Sequence, residues 1–319
     1  MITLLALCTG FILAIMITLN GQLTQTYNMF LAIVIIHVVG VLFALCLCLI
    51  KKIKLDLFYV KPRWLYLGGA IGVFTTIANN VSFGQISMTS IIALGLFGQL
   101  MISVVVDTFG LFKMEKRSFK KSNLVILIFA LLGILMMLDN SVWQGKVAVF
   151  MSIAAGVSVV MNRTVNAQLA QHIGDLPSSL VNHLVGLPIT IIILVFVYQM
   201  RWVPLNYSLS LNPLIYLGGA LGVITVVLSN ITVYKIPAFK LTVLVFVSQL
   251  FTGICVDLLF GLNIDNASFK GGIVVALGIV IGLIIERVMK ERERKEEESE
   301  VRLKRLEEIH FERVYKKFK

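Results

Sequence analysis

Apolar residues fall along this chain in unbroken blocks about twenty residues long, and polar residues collect in the short gaps between them. A helix of that length crosses the roughly 30 Å of hydrocarbon in a bilayer. No stretch shows the short apolar–polar alternation of barrel strands, so the blocks read as helices whose backbone groups pair internally. Ten are predicted, at 2–20, 28–50, 64–84, 88–109, 122–139, 145–166, 177–199, 213–233, 237–260 and 268–287. The chain is therefore expected to be an all-α polytopic membrane protein with ten transmembrane helices. The first block has neither a basic lead-in nor a small-residue cleavage site, so it is expected to stay as a helix.

The gaps carry the orientation. Lys51, Lys52, Lys54, Lys61 and Arg63 follow span 2, and Lys113, Lys116, Arg117, Lys120 and Lys121 follow span 4. The connections after spans 1 and 3 are uncharged. Basic loops stay on the cytoplasmic side, so the N-terminus is expected there, and ten spans return the C-terminus to it.

The blocks also repeat. Tyr66 opens YLGGAIGVFTTIANN and Tyr216 opens YLGGALGVITVVLSN, identical at nine of fifteen positions. Asn20-Gly21-Gln22-Leu23 returns as Asn166-Ala167-Gln168-Leu169, and His37 and Gly40 return as His183 and Gly186. Gln99 returns as Gln249 and Asp107 as Asp257. Residues 1–140 and 141–287 therefore form two five-span repeats, followed by a charged tail at 288–319. Five is odd, so the second copy is expected to be inverted in the bilayer. Its loops match, since the counterparts of the basic ones keep chiefly Arg201 and Lys270.

An Asn-x-Gln-Leu ending span 1, a Leu-Gly-Gly-Ala-x-Gly opening span 3 and a Gln-x7-Asp on span 4, each present twice, resemble the YdcZ-like family of the drug/metabolite transporter superfamily. The resemblance covers about 285 residues and implies a fused two-repeat inner-membrane carrier. One departure is visible: Asp107-Thr108-Phe109-Gly110 becomes Asp257-Leu258-Leu259-Phe260-Gly261, one residue longer.

Composition agrees with the pattern. The chain is 58% hydrophobic and only 14% charged, against about 25% charged in a soluble domain. The net charge of +11 does not point to nucleic acid. The stretch 286–319 holds 12 basic and 10 acidic residues, and most of the remaining excess sits in the two basic loops. Cys8, Cys46, Cys48 and Cys255 all lie within spans and form neither a disulfide framework nor a metal motif. No zinc cluster, nucleophile elbow or nucleotide loop is present, so no catalysis, metal or cofactor is expected.

Candidate chemistry rests on the polar residues inside the spans. Gly68, Gly69 and Gly72, with Gly218, Gly219 and Gly222, read as close-packing surfaces, or as a seam along which the halves slide. Gly69 and Gly219 are expected to tolerate alanine, whereas leucine at Gly72 or Gly222 should hold helices apart. Gly95, Gln99, Ser103 and Asp107 step by four along span 4, and Gln249, Gly253 and Asp257 repeat most of that stripe on span 9. The aspartates either anchor at the interface, or close the ends of a pathway or bind a coupling cation. His37 and His183 read either as packed neutral rings or as proton carriers. Arg163, whose repeat partner is Ile17, either snorkels to the cytoplasmic interface or serves as an anion-binding or charge-compensating group near an aspartate. Asn20, Asn80, Asn166 and Asn230 either bridge helices or bind substrate.

These features predict a carrier moving a small polar or amphipathic solute, with protons as coupling ion and Asp107 the favoured coupling residue. Its partners would be the bilayer and that solute, with no nucleic acid, and the chain would act as a monomer or homodimer. A receptor or scaffold signalling through the tail, or a passive channel, fits the same features. The tail, with Glu298–Arg302 and Glu300–Lys304 at i,i+4 and a partial apolar stripe from Leu303, is expected to continue span 10 as a helix.

Overall fold

The computed structural model describes residues 1–82, 85–203, 209–259 and 266–317. Side chains of Asn80, Asp257, Leu258, Glu293, Glu297, Lys304 and 306–317 also lie outside the described residues, and with them the roles expected of Asn80, Asp257 and the end of the tail stripe. Ten α-helices are described: α1 Ile2–Tyr27, α2 Met29–Ile50, α3 Gly68–Ser82, α4 Met88–Phe109, α5 Lys121–Met137, α6 Lys146–Ile173, α7 Asp175–Gln199, α8 Gly218–Val233, α9 Ala238–Leu259 and α10 Asn266–Lys317. Eight helical segments are long and apolar enough to cross a membrane; α5 is a shorter apolar helix, and α3 is shorter still. Short 3-10 turns, Arg63–Leu67 and Pro213–Tyr216, lead into α3 and α8.

The helices extend past the apolar blocks wherever the flanking polar residues keep good helical hydrogen bonds. Thus α1 runs through Asn20-Gly21-Gln22-Leu23 to Tyr27, and α6 runs through the matching residues to Ile173. Each then turns at one residue of positive φ: Asn28 (φ 80°) before α2 and Gly174 (φ 95°) before α7. Asn28 accepts backbone N–H groups from Phe30 and Leu31, a side-chain cap that Gly174 lacks. The tail needs no turn, since α10 continues for 52 residues from the apolar block into the charged one.

Packing occurs mainly between the halves, and most contacts come in exchanged pairs. Helix α1 lies against α8 and α9, and α6 against α3 and α4. Helix α2 lies against α8, and α7 against α3. Three contacts pair a helix with its own repeat counterpart: α2 with α7, α4 with α9, and α5 with α10. The largest core cluster joins Leu96, Leu100, Ile126, Met137, Phe239 and Leu244 across α4, α5 and α9. At one end the α1–α2 turn meets the entry to α8, where Tyr27 Oη accepts the Ser210 N–H and hydrogen-bonds Tyr216 Oη. At the other end the α2–α3 connection meets the α6–α7 turn, where Tyr59 Oη donates to the His172 carbonyl.

Glycines make these contacts close. A Cβ on Gly69 would run into the Asn182 carbonyl of α7, and one on Gly219 into the Ile36 carbonyl of α2. A Cβ on Gly156 would strike the Gly95 carbonyl of α4, and one on Gly10 the Val245 carbonyl of α9. Gly72 and Gly222 are looser, with a Cβ standing 3.0 Å from Asn162 Nδ2 and 3.5 Å from His183 Cε1. The tolerance expected from sequence is thus reversed for alanine, because Gly69 and Gly219 face backbone that cannot yield. Gly69→Ala and Gly219→Ala are each expected to cost about 1–3 kcal/mol through overpacking, read as a lower unfolding midpoint in detergent. Gly222→Ala should hold the wild-type midpoint, and equal midpoints for all three would contradict this packing.

Candidate functional site

Arg163 lies inside the helix bundle. It is buried on α6 and donates through Nη2 to Thr242 Oγ1, to the Ala238 carbonyl at 3.2 Å and to Ser103 Oγ at 3.5 Å. Ser103 and Thr242 hydrogen-bond each other at 2.8 Å, so one guanidinium ties α6 to α4 and α9. Its Nε is buried without a partner among the described residues. It therefore does not snorkel to the interface. The Asp107 carboxylate is close enough to act on it electrostatically, with no ion pair between the two among the described residues.

Asp107 is itself committed. Its Oδ1 accepts the Ala238 N–H at 2.8 Å and its Oδ2 the Phe239 N–H at 2.9 Å. It caps the start of α9 from α4, where a carboxylate meets the positive helix end. Arg117 does the converse, donating to the Tyr234 carbonyl at the end of α8 at 3.0 Å. The α8–α9 connection is thus clamped by opposite charges. The stripe on α4 faces other helices: Gly95 backs onto Gly156, Gln99 is half-buried beside the same glycine, and Ser103 and Asp107 are buried. Gln249, also half-buried, occupies the matching place beside Gly10.

The paired glycines open onto asparagines from the opposite half. The Asn166 side chain fills the space over Gly68, and the Asn20 side chain fills the space over Gly218. Around Asn166 a network has grown. It donates to Asn182 Oδ1 at 2.9 Å and to Asn162 Oδ1 at 3.1 Å, while Asn162 donates to the Gly68 carbonyl at 2.5 Å. The repeat partners of Asn162 and Asn182 are Met16 and Ile36, so the Asn20 side keeps a buried Oδ1 with no partner among the described residues. Asn230 stands apart, donating to the Asp175 carbonyl at 3.1 Å.

His37 and His183 come together where α2 crosses α7. The rings meet edge to face with centroids 5.6 Å apart, His37 lying on Gly186 and His183 on Gly40. His37 Nδ1 is 2.9 Å from the Ile33 carbonyl, whereas neither nitrogen of His183 has a partner among the described residues. The crossing is filled by these rings. An apolar cleft of about 610 Å³ opens sideways between α3 and α6, lined by Leu67, Ile71, Phe74, Phe150, Val157 and Met161. A Thr75–Ser158 hydrogen bond of 2.7 Å spans the same two helices.

A family model for DMT_YdcZ, described as "Putative inner membrane exporter, YdcZ", matches residues 1–136 and again 147–285. The chain belongs to the DMT_YdcZ family. As a DMT_YdcZ protein it is a multi-pass inner-membrane protein of a transporter family. A solved structure described only as "Crystal structure of protein" superposes with a TM-score of 0.70 at 12% identity, over 90% of this chain and 98% of that one. At that identity the likeness concerns fold alone. No curated protein matches the chain.

Sequence reasoning passed over Asn162, Asn182 and Thr242. Asn162 lies one turn before Asn166 and Asn182 beside His183, so polar residues clustered within apolar blocks were the available signal. Thr242 had none. Arg163 and Asp107 hold the same residue, Ala238, by its carbonyl and its N–H, which predicts coupling between them. Arg163→Met and Asp107→Asn should each lower the unfolding midpoint, and the double variant should lose less than their sum by about 0.5–3 kcal/mol. Strict additivity would contradict that coupling.

Proposed function

We propose that this DMT_YdcZ protein is a secondary-active exporter of a small polar or amphipathic metabolite or toxic compound, working by alternating access and driven by protons. Its ten helices form two inverted halves of five spans, with both termini cytoplasmic. The observation that carries this reading is the reciprocal contact between halves: Asn166 over Gly68 and Asn20 over Gly218, His183 on Gly40 and His37 on Gly186. Such contacts arise when two copies of one unit meet about a pseudo-two-fold axis, a recurrent architecture of secondary carriers. The end-to-end arrangement supports inversion. The α1–α2 turn lies beside the entry to α8, and the α2–α3 connection beside the α6–α7 turn.

Rocking of the halves would separate α2 from α7 and open the centre. Helices α5 and α10 pack on each other and on α4 and α9, and would remain outside the moving centre. The asparagine network, present in only one half, gives a polar face for the solute's hydrogen-bonding groups. The apolar cleft between α3 and α6 would suit the other end of an amphipathic molecule.

A screen of metabolites and toxic cations by thermal shift selects ligands, since one at 100 times its Kd adds about 2.7 kcal/mol. The selected compound is then followed in proteoliposomes. Saturable counterflow is the expected result; linear, unsaturable flux would make the protein a channel, and capture of a partner by the tail without flux a scaffold. Topology is tested separately in a cysteine-free background. A cysteine at Lys51 is expected to be labelled only from the cytoplasm and one at Leu211 only from outside. Labelling of both from the same side would end the inverted reading.

A further inference from the structure

We propose that His37 and His183 form one proton-binding site, a pair of imidazoles that takes up a single shared proton at the crossing of α2 and α7. Its part in energy coupling rests on the carrier reading above; the proton binding itself does not.

The first argument is the cost of the present arrangement. His183 is buried, and both its ring nitrogens lack a partner among the described residues. A buried polar group without a hydrogen bond costs about 1–3 kcal/mol. An apolar side chain of similar size would fill the space over Gly40 without that penalty. The second argument is the state of the other ring. A carbonyl only accepts, so the 2.9 Å contact with Ile33 puts the proton of neutral His37 on Nδ1. His37 Nε2 is then an acceptor, and it lies against Gly186, facing the α7 helix that carries His183. Neutral His183 carries one N–H; an added proton makes both of its nitrogens donors and gives the ring a charge. An N–H turned toward His37 Nε2 then makes a charge-assisted hydrogen bond that the neutral ring makes only weakly. The proton binds a nitrogen lone pair and leaves as a proton, so nothing else is consumed.

The surroundings limit uptake to one proton. Gly40, Gly186 and Gly222 lie beside the rings, with the Met16 side chain over Gly222. Helices α1, α2, α3 and α8 carry no Asp, Glu, Lys or Arg. On α7 the charged residue is Asp175, in its first turn, and on α6 Arg163 turns toward Ser103 and Thr242. Lys146 and His172 lie at the two ends of α6, and Arg63 lies in the turn before α3. No ion pair to either ring exists among the described residues. A second imidazolium would face only the first, and like charges at this range force the two protonations apart. Because the rings belong to opposite halves, any motion that parts α2 from α7 also exposes the shared proton. Proton release is thereby linked to the rearrangement.

The chain has four histidines, so nitrogen-15 histidine labelling resolves each ring by NMR in lipid nanodiscs. His172→Gln and His310→Gln assign the two outside the pair. Titration from pH 8.5 to 4.5 is expected to show one protonation sensed by both His37 and His183. The second should lie more than about 1 pH unit lower. In His37→Gln the His183 step should move. Two independent titrations near the ordinary value of about 6.5, or no titration of either ring while the fold persists, would overturn the proposal. So would a His183 step unchanged in His37→Gln; if that variant does not fold, the wild-type titration decides. Absence of counterflow with the shared step intact would count against the carrier reading alone.

Discussion

Lipid tails are as apolar as leucine, so helices in a bilayer gain little from burying apolar faces against each other. What holds them is close approach of backbones and polar contact between them. In this chain both come from the repeated glycine phrase. Gly69 and Gly219 bring α3 and α8 onto the backbones of α7 and α2, while Gly68 and Gly218 leave room for Asn166 and Asn20. Each half supplies the glycines for the other half's side chains, so neither half completes its own packing alone.

The polar residues follow from that constraint. A buried charge needs a partner, and Arg163 finds hydroxyls on α4 and α9 with Asp107 nearby. Asp107 spends both carboxylate oxygens on the start of α9. Ser103 and Asp107, expected from sequence to lie along a pathway, join α4 to α6 and α9. The coupling role expected of Asp107 passes in our reading to the histidines at the crossing of α2 and α7, where His183 has no hydrogen-bond partner among the described residues.

Much of the helical layout is legible in the sequence because a bilayer makes length and apolarity decisive. The continuation of α1 and α6 beyond their apolar blocks is not, since Asn, Gln and Thr residues give no hydropathy signal while still keeping helical hydrogen bonds. The recurrence of Asn20 as Asn166, of His37 as His183, and of the glycines at a fixed offset was plain. Which glycine would meet which side chain was not, because the pairs form across halves and a repeat reveals only likeness within the chain. The alanine tolerance expected at Gly69 and Gly219, where the structure puts backbone, shows the same gap. Helical spacing says which residues share a face, but only the neighbour decides whether backbone or a movable side chain stands opposite.

The two halves interlock within one chain, and paired cysteines can report that contact in a variant lacking Cys8, Cys46, Cys48 and Cys255. Thr75 on α3 and Ser158 on α6 have hydroxyl oxygens 2.7 Å apart, and Ser103 on α4 and Thr242 on α9 have theirs 2.8 Å apart. Mild oxidation of Thr75→Cys/Ser158→Cys and of Ser103→Cys/Thr242→Cys, each after a protease site is introduced between the halves, should leave the cut fragments joined as one chain-sized species. Fragments that separate on a non-reducing gel, or that join only between different chains, would contradict the interlocked arrangement.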